Sequence, residues 1–437
     1  MVFTTSVNEA SPHILEGLKN FLQPDVTMVC RELRHYHARH GEHLRKDAPA
    51  VVAKAASWVL ANADRICDDL EAGVARLPMS RPMLKEAFRN CLERWTNAGD
   101  LMALVKAETI GLPSAKPHYP QVVFHNLAGN LFVSGWESLT ESMLLGACSI
   151  VRCSQLDPVF PAIWAYALGL ANPMFRDAIA ICEWDARDLE RGRLASTESD
   201  AVVVYGADDT VNALKESVPW NKPYAGHGST FSFALISRGD IQNGGLERLA
   251  DCCAYDFIVY DQQGCLSPRA MFVEDHDERY VDRFVDAVYL AMKRWENDLP
   301  RQRLLLEDQA ALARARDEVL LDAACGGTGR MVSRTDDEFL VTVKPVEQFK
   351  LGPVNRYLDM YLYKEPVEVV RALSDYRGHL STLGVAEPRK LNLIGSEELL
   401  ISRVCELGSM QVPHLGWCLD GYRPLQKLFR FQTVQTS

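Results

Sequence analysis

No stretch of the 437 residues holds the roughly eighteen uncharged apolar residues that a membrane-spanning helix requires, so the sequence predicts no membrane span. The opening MVFTTSVNEASPH lacks the basic start and long apolar run of a signal peptide, and a cytoplasmic protein is expected. Positive charge is short as well. Lys and Arg number 47 against 58 Asp and Glu, a formal charge of −11, which leaves no basic face for tracking along nucleic acid or anionic lipid. There is no CxxC pair, and the 12 cysteines are scattered singly apart from Cys252-Cys253. They suit neither a disulfide framework nor a structural zinc site and read as reduced thiols. Neither GxGxxG nor the GK[ST] of a phosphate loop occurs, so pattern alone carries a weak cofactor signal. No internal repeat or low-complexity segment interrupts the chain.

What is present is an ordinary globular composition, 47% hydrophobic and 24% charged, at a length that suits two or three domains. Ala53, Ala56, Trp58, Val59, Ile66, Leu70 and Val74 recur at three- and four-residue steps, which predicts a helical N-terminal segment over 1–110. His35, His37, His40 and His43 ride on it. Arg31, Arg34, Arg39 and Arg45 crowd them with positive charge, so a solvated helix face is expected there rather than a cation site, and no metal is expected.

Three prolines between Gly111 and Pro120 read as a linker into a second segment, 111–248. There a strand at Gln121–Phe124, the helical SGWESLTESMLLGA and a strand at Cys148–Cys153 alternate, and FRDAIAICEW and AVVVYGADDTVNALKES continue the alternation. Strand and helix in turn predict an α/β, nucleotide-binding type of domain on a parallel sheet. A third segment, 249–415, carries two long amphipathic helices, one through Val281–Trp295 and one over Gln302–Leu321. It also has a CGGTG turn ahead of a strand at Phe339–Val343. Residues 416–437 form a return segment.

The chemistry concentrates in FIVYDQQGCLSPR, Phe257 to Arg269. Phe257–Tyr260 reads as a short buried strand that ends before Cys265, with Gly264 leaving the thiol unobstructed and Ser267-Pro268 setting a rigid exit. A cysteine is most often a small buried hydrophobe. Cys252 and Cys253 fit that description, whereas Gln262, Gln263, Gly264 and Ser267 around Cys265 do not build a core. Cys265 is therefore the candidate nucleophile.

The string DQQGCLSP resembles the nucleophile motif of the acyl-CoA reductase family typified by the fatty-acid reductase of bacterial luminescence operons, a branch similar to the aldehyde dehydrogenase superfamily. Four further stretches carry the resemblance over about 110–437. HNLAGN resembles the Gly-Asn signature that supplies an oxyanion donor, here Asn130. GACSIVRCSQLDP resembles the strand that meets the cofactor ribose or its 2′-phosphate, which implies Arg152 and Ser154 as cofactor residues. On its own, Arg152 reads as a salt-bridged strand end. VVVYGADDT resembles the strand and turn at the nicotinamide half, with Gly206 as a close-approach glycine. GSMQVP…WCLDG resembles the C-terminal pattern, in which Asp420-Gly421 reads as a turn cap.

The family likeness implies an aldehyde-dehydrogenase-like α/β fold and an NADPH-dependent reduction of an acyl-CoA or carrier-bound acyl thioester to the aldehyde through Cys265. It also implies an acyl-transferase or synthetase partner and a homo-oligomer. Hydrolytic aldehyde dehydrogenases place a water-activating glutamate in the stretch matching Tyr224–Thr230, and no carboxylate stands there. His227 does, either as a proton donor to the departing thiol or as a turn histidine. The alternatives are an aldehyde dehydrogenase forming the acid and a non-catalytic partner of an acyl-transfer complex.

Overall fold

The computed structural model describes residues 25–73, 79–111, 114–154, 157, 159–185, 187–243, 245–275, 277–302, 304–388 and 396–433. They fall into two units. Unit 1 takes the described residues within 1–77, 85–229 and 414–437, and unit 2 those within 78–84 and 230–413.

In unit 1 the chain runs through β1 (Ala115–His118), β2 (Val122–Asn126), β3 (Cys148–Cys153), β4 (Ile179–Glu183), β5 (Ala201–Tyr205) and β6 (Tyr224–His227). β2, β3 and β5 are buried at every residue, as strands covered on both faces are. β2 to β6 pair in parallel in the order β4-β3-β2-β5-β6. Helices Val133–Leu144, Phe160–Ala171, Leu189–Glu198 and Asp208–Lys215 stand among the crossovers between these strands, as parallel pairing demands. The expected parallel sheet of an α/β domain is thus present.

The described residues before 111 belong to this unit except 79–84, which go with unit 2. Asp200 explains part of the attachment, because its carboxylate pairs with Arg34 at 2.7 Å and accepts from Gln121 N and Val122 N at 2.9 and 3.0 Å. The proline-rich stretch expected as a linker is also structured. Its residues 115–118 form β1, which pairs antiparallel with β14 (Arg430–Thr433) at the end of the chain. Pro117 is tolerated because the pair has only two strands and exposed edges.

Unit 2 holds β7 (Phe231–Ile236), β8 (Pro268–Glu274), β9 (Arg330–Met331), β10 (Leu340–Pro345), β11 (Tyr357–Tyr363), β12 (Leu380–Val385) and β13 (Arg403–Glu406), in the order β13-β12-β7-β8-β11-β10-β9. All of these pair in parallel except β9. Phe231, Phe233, Phe272, Tyr361, Leu373 and Leu383 form the core on one side of the sheet. The chain passes into unit 2 at residue 230, ahead of the boundary expected near 248, because β7 is already a strand of the second sheet.

The return segment from His414 closes back onto unit 1. Glu108 accepts from Leu425 N and Gln426 N at 2.8 and 3.2 Å, and Lys427 Nζ lies 2.8 Å from Glu141. Glu137 takes both Trp417 Nε1 and Arg94 at 3.0 Å. Buried charges of this kind are tolerated where each has a partner.

One sequence expectation is overturned here. Phe257–Tyr260 is not a strand: Leu246–Ile258 is a helix whose buried residues Leu249, Ala250, Cys253, Ala254, Phe257 and Ile258 recur at helical spacing. A four-residue apolar run at the end of a buried helix has the same local pattern as a short strand, and periodicity over so few residues does not separate them. The strand of this region is β8, which begins three residues after Cys265. Cys265 therefore precedes a strand instead of following one.

Candidate active site

The DQQ of the cysteine loop is framework. After the helix ends, Tyr260, Asp261 and Gln262 take φ of 61°, 50° and 61°, and across from them Asn355 and Arg356 take 71° and 67°. Left-handed backbone at a residue other than glycine costs on the order of 1–3 kcal/mol and persists only where surrounding bonds over-determine it.

They do so here. Arg356 Nε lies 2.5 Å from Asp261 Oδ1, its Nη2 donates to Leu299 O at 2.6 Å, and Asn355 N donates to Asp261 O at 3.0 Å. Arg356 is fully buried. The Gln262 carboxamide accepts from Tyr357 N at 2.6 Å and donates to Pro268 O and Tyr357 O at 2.9 and 3.0 Å, so it links β8 to β11 as a peptide group would. Gln263 Nε2 reaches Asn355 Oδ1 at 2.9 Å.

Cys265 follows this brace, half-buried, at the amino ends of β7, β8 and β12. Its carbonyl accepts from Ser232 Oγ at 2.7 Å, and the same hydroxyl accepts from Thr382 N at 3.1 Å. Two residues on, Ser267 Oγ accepts from Gln411 Nε2 at 3.0 Å. Gln411 is set in turn by buried Asp256, which accepts from Gly408 N and Met410 N at 2.6 and 3.1 Å. Burial pushes the thiols of Cys30, Cys91, Cys148 and Cys182 up to about 12 and raises those of Cys153, Cys252 and Cys253. Thiols so raised stay protonated and inert near neutrality.

The other expected site residues all lie in unit 1, past the carboxyl ends of its parallel strands. Asn130 is exposed in the loop after β2, Arg152 is the penultimate residue of β3 with Ser154 just beyond the strand, Gly206 follows β5 and His227 ends β6. The strand order reverses between β2 and β5, the place where doubly wound sheets open a ligand crevice. Asn126 Nδ2 bridges that point to Tyr205 O at 3.3 Å.

Among the described residues Arg152 has no carboxylate hydrogen-bond partner. Its guanidinium donates to Trp184 O at 3.3 Å and Leu127 O at 3.4 Å, and burial lowers its pKa against the opposing fields of Cys153, Asp185 and Glu183. The group keeps its charge all the same. A cation at the carboxyl edge of the β3 side suits an anionic group on a nucleotide, so the residues present fit a phosphate-bearing dinucleotide. Gly206 N donates to His227 O at 3.2 Å, and a Cβ there would come within 3.3 Å of Thr210. The Asp208 carboxylate at the start of the next helix turns to Ser229 N at 2.7 Å.

His227 Nδ1 lies 2.8 Å from Asp420 Oδ2 of the return segment. Sequence reading missed this partner, together with the roles of Ser232, Gln262, Arg356 and Gln411. Asp420 had a signal in its Asp-Gly turn; Ser232 and Arg356 had none. Among the described residues no group of three His, Cys, Asp or Glu side chains is arranged to hold a metal ion.

A family model described as acyl-CoA reductase (LuxC) matches residues 70–431, well over half of the chain. The chain belongs to this family. Among curated proteins it is similar to the long-chain acyl-protein thioester reductase 2 of Photobacterium leiognathi, 22% identical over 350 residues that cover 78% of this chain and 67% of that protein. The long-chain acyl-protein thioester reductase of Vibrio harveyi is 24% identical over 317 residues, 70% of this chain and 62% of its own length. The LuxC-family chain thus spans about two thirds of the length of these relatives.

Solved structures share its fold. An aldehyde dehydrogenase from Brucella melitensis superposes with a TM-score of 0.71 at 12% identity, covering 93% of this chain and 89% of that one. An indole-3-acetaldehyde dehydrogenase complexed with NAD+ gives 0.70 at 13% identity, covering 93% and 88%. The LuxC-family chain therefore has an aldehyde-dehydrogenase-like α/β fold.

Asp261→Asn suits the left-handed backbone and leaves Arg356 buried without its counter-charge. It should lower the unfolding free energy by about 3–5 kcal/mol, read as a drop in the urea midpoint at unchanged slope. A wild-type midpoint would show that the ion pair does not hold this loop.

Proposed function

We propose that this protein reduces an acyl thioester, acyl-CoA or a carrier-bound fatty acyl group, to the aldehyde, with Cys265 as nucleophile and NADPH as reductant. The observation that carries the reading is the half-buried Cys265 on a doubly clamped loop, in a chain that belongs to the acyl-CoA reductase family. The names of the curated relatives, thioester reductases of long-chain acyl proteins, support a fatty acyl substrate.

In this mechanism the Cys265 thiol attacks the thioester carbonyl and the substrate thiol departs, leaving an acyl-enzyme. The Asn130 amide stabilises the oxyanion of the adduct. NADPH, when bound, would supply the hydride, and the residues that would hold it stand at the carboxyl edge of the unit 1 sheet. Arg152, with Ser154 beside it, would hold the adenosine end through charge. Gly206 admits the nicotinamide half without a side chain, and His227 handles protons. The preference for NADPH rests on the Arg152 guanidinium, whose hydrogen bonds go to carbonyls and leave its charge for a phosphate. An acyl-transferase or synthetase supplying the acyl group, and self-association, complete the reading.

A second reading, oxidation of an aldehyde to the acid, draws on the carboxylate that the fold brings to His227. The Tyr224–Thr230 stretch has none of its own, yet Asp420 reaches it, and a His-carboxylate pair is able to activate water.

Radiolabelled acyl-CoA should leave label on the wild-type protein that NADPH discharges as aldehyde, and Cys265→Ser should keep the fold while losing several orders of magnitude of activity. Loss on Cys252→Ser or Cys253→Ser with a mild Cys265→Ser would move the nucleophile. Label without discharge would favour a non-catalytic binding role.

Arg152→Ala should raise KM for NADPH about ten- to a hundredfold more than for NADH, as for a charge-assisted contact worth roughly 1.5–3 kcal/mol. Equal changes for both cofactors would remove Arg152 from reading the 2′-phosphate.

Aldehyde with NADP+ should yield little free acid unless CoA is present to take the acyl group. Rapid acid formation without CoA, measured by product analysis, would establish the second reading, with the His227–Asp420 pair as its base.

A further inference from the structure

The turn Leu419-Asp420-Gly421-Tyr422 does more than reverse the chain. Tyr422 N donates to Leu419 O at 2.9 Å, and Asp420 and Gly421 both take positive φ, 50° and 81°, as the central residues of a type I′ turn do. That conformation places the Asp420 carboxylate against His227 Nδ1.

A carboxylate only accepts hydrogen bonds, so Nδ1 carries the hydrogen and donates it. The ring is fixed as well: Tyr205 stacks on it at 4.5 Å and Tyr422 meets it edge-on at 5.7 Å. His227 is buried, and its Nε2 has no hydrogen-bond partner among the described residues. Native structures leave few such atoms, and each points to a water or a ligand. With the hydrogen on Nδ1, the atom left over is a lone pair, which takes a proton and does not give one.

We propose that Asp420 is a positioning residue: it holds His227 as the Nδ1–H tautomer, so that Nε2 is a proton acceptor at the carboxyl edge of the unit 1 sheet. The inference rests on the acyl-enzyme reading above and changes the expected role of His227, which accepts a proton before it donates one. The accounting closes without a further reactant. The proton that the nucleophilic thiol gives up on acylation is taken up at Nε2. When the carbon–sulfur bond to the substrate thiol breaks, that thiolate takes the proton from Nε2. After hydride transfer releases the aldehyde, the Cys265 thiolate regains a proton from water.

The charged groups acting on His227 are Asp420 and Lys427 from the return segment and Glu137 from helix Val133–Leu144, with the tyrosine rings of 205 and 422 against its faces. Burial lowers the His227 pKa below its ordinary value, Asp420 and Glu137 raise it, and Lys427 lowers it. A neutral imidazole is therefore the resting form near neutrality. Turnover should fall as pH drops through the His227 pKa. Removing the Asp420 charge removes a raising influence, so this acid limb should move to lower pH.

The test uses the full chain with hexadecanoyl-CoA and NADPH. Asp420→Asn and Asp420→Gly both tolerate left-handed backbone and keep the turn, and urea midpoints check that they fold. Nitrogen NMR of protein labelled at its histidines, assigned with His227→Gln, should show one Nδ1–H tautomer in the wild type and a shift toward Nε2–H in Asp420→Asn. Both variants should lose on the order of 10²-fold or more in kcat with little change in KM, and their acid limb should move to lower pH. A wild-type Nε2–H tautomer, or variants with unchanged kcat and pH profile, would overturn the assignment. Absence of acyl label on the wild type would instead sink the acyl-enzyme reading and the proton role with it, whatever tautomer the spectrum shows.

Discussion

A single buried ion pair holds the loop before Cys265 in a backbone that most residues avoid. Arg356 and Asp261 meet on two facing segments that together put five non-glycine residues in left-handed conformation. In a low-dielectric interior neither charge is tolerable alone, so each segment is stable only while the other is in place. Gln262 adds a directional element, since its carboxamide completes hydrogen bonding between β8 and β11 where the main chain has turned away. The consequence is a rigid launch for Cys265, whose own carbonyl is pinned from β7 by Ser232.

The candidate residues of the two units stand at opposite ends of their parallel strands. In unit 1 the residues in question gather beyond the carboxyl ends of parallel strands, where helix and strand geometry opens a crevice at the reversal of strand order. In unit 2 the cysteine stands at the amino ends of its strands, and nothing in the sheet itself favours that edge. It is built there by side chains: Ser232, Gln411 and the carboxylate of Asp256 behind Gln411. The return segment then contributes to unit 1 from more than 180 residues away in sequence, bringing Asp420 to His227 and anchoring through Glu108, Glu137 and Glu141.

Much of the fold was legible in the chain. Four of the five strands of the unit 1 sheet follow from buried apolar runs alternating with helices, and the cysteine loop stood out because glutamine, glycine and serine do not build a core; β6, YAGH, has no such run. The errors have a common cause. Phe257–Tyr260 read as a strand because four apolar residues carry no period. Residues 115–118 read as linker because a proline-rich stretch gains strand pairing only from a partner some 300 residues away.

Local pattern by itself determined where most strands and helices alternate and which thiol is set among polar neighbours. It did so because burial and turn chemistry leave their mark within a few residues. Only the tertiary structure decided that the DQQ of the motif is a brace, that Arg356 answers Asp261 across 95 positions, and that an Asp-Gly turn delivers a carboxylate to a histidine 193 positions earlier. Those pairings are long-range. A charge or an amide has no periodicity, and its partner is chosen by which segments the folded sheets bring within 3 Å of one another.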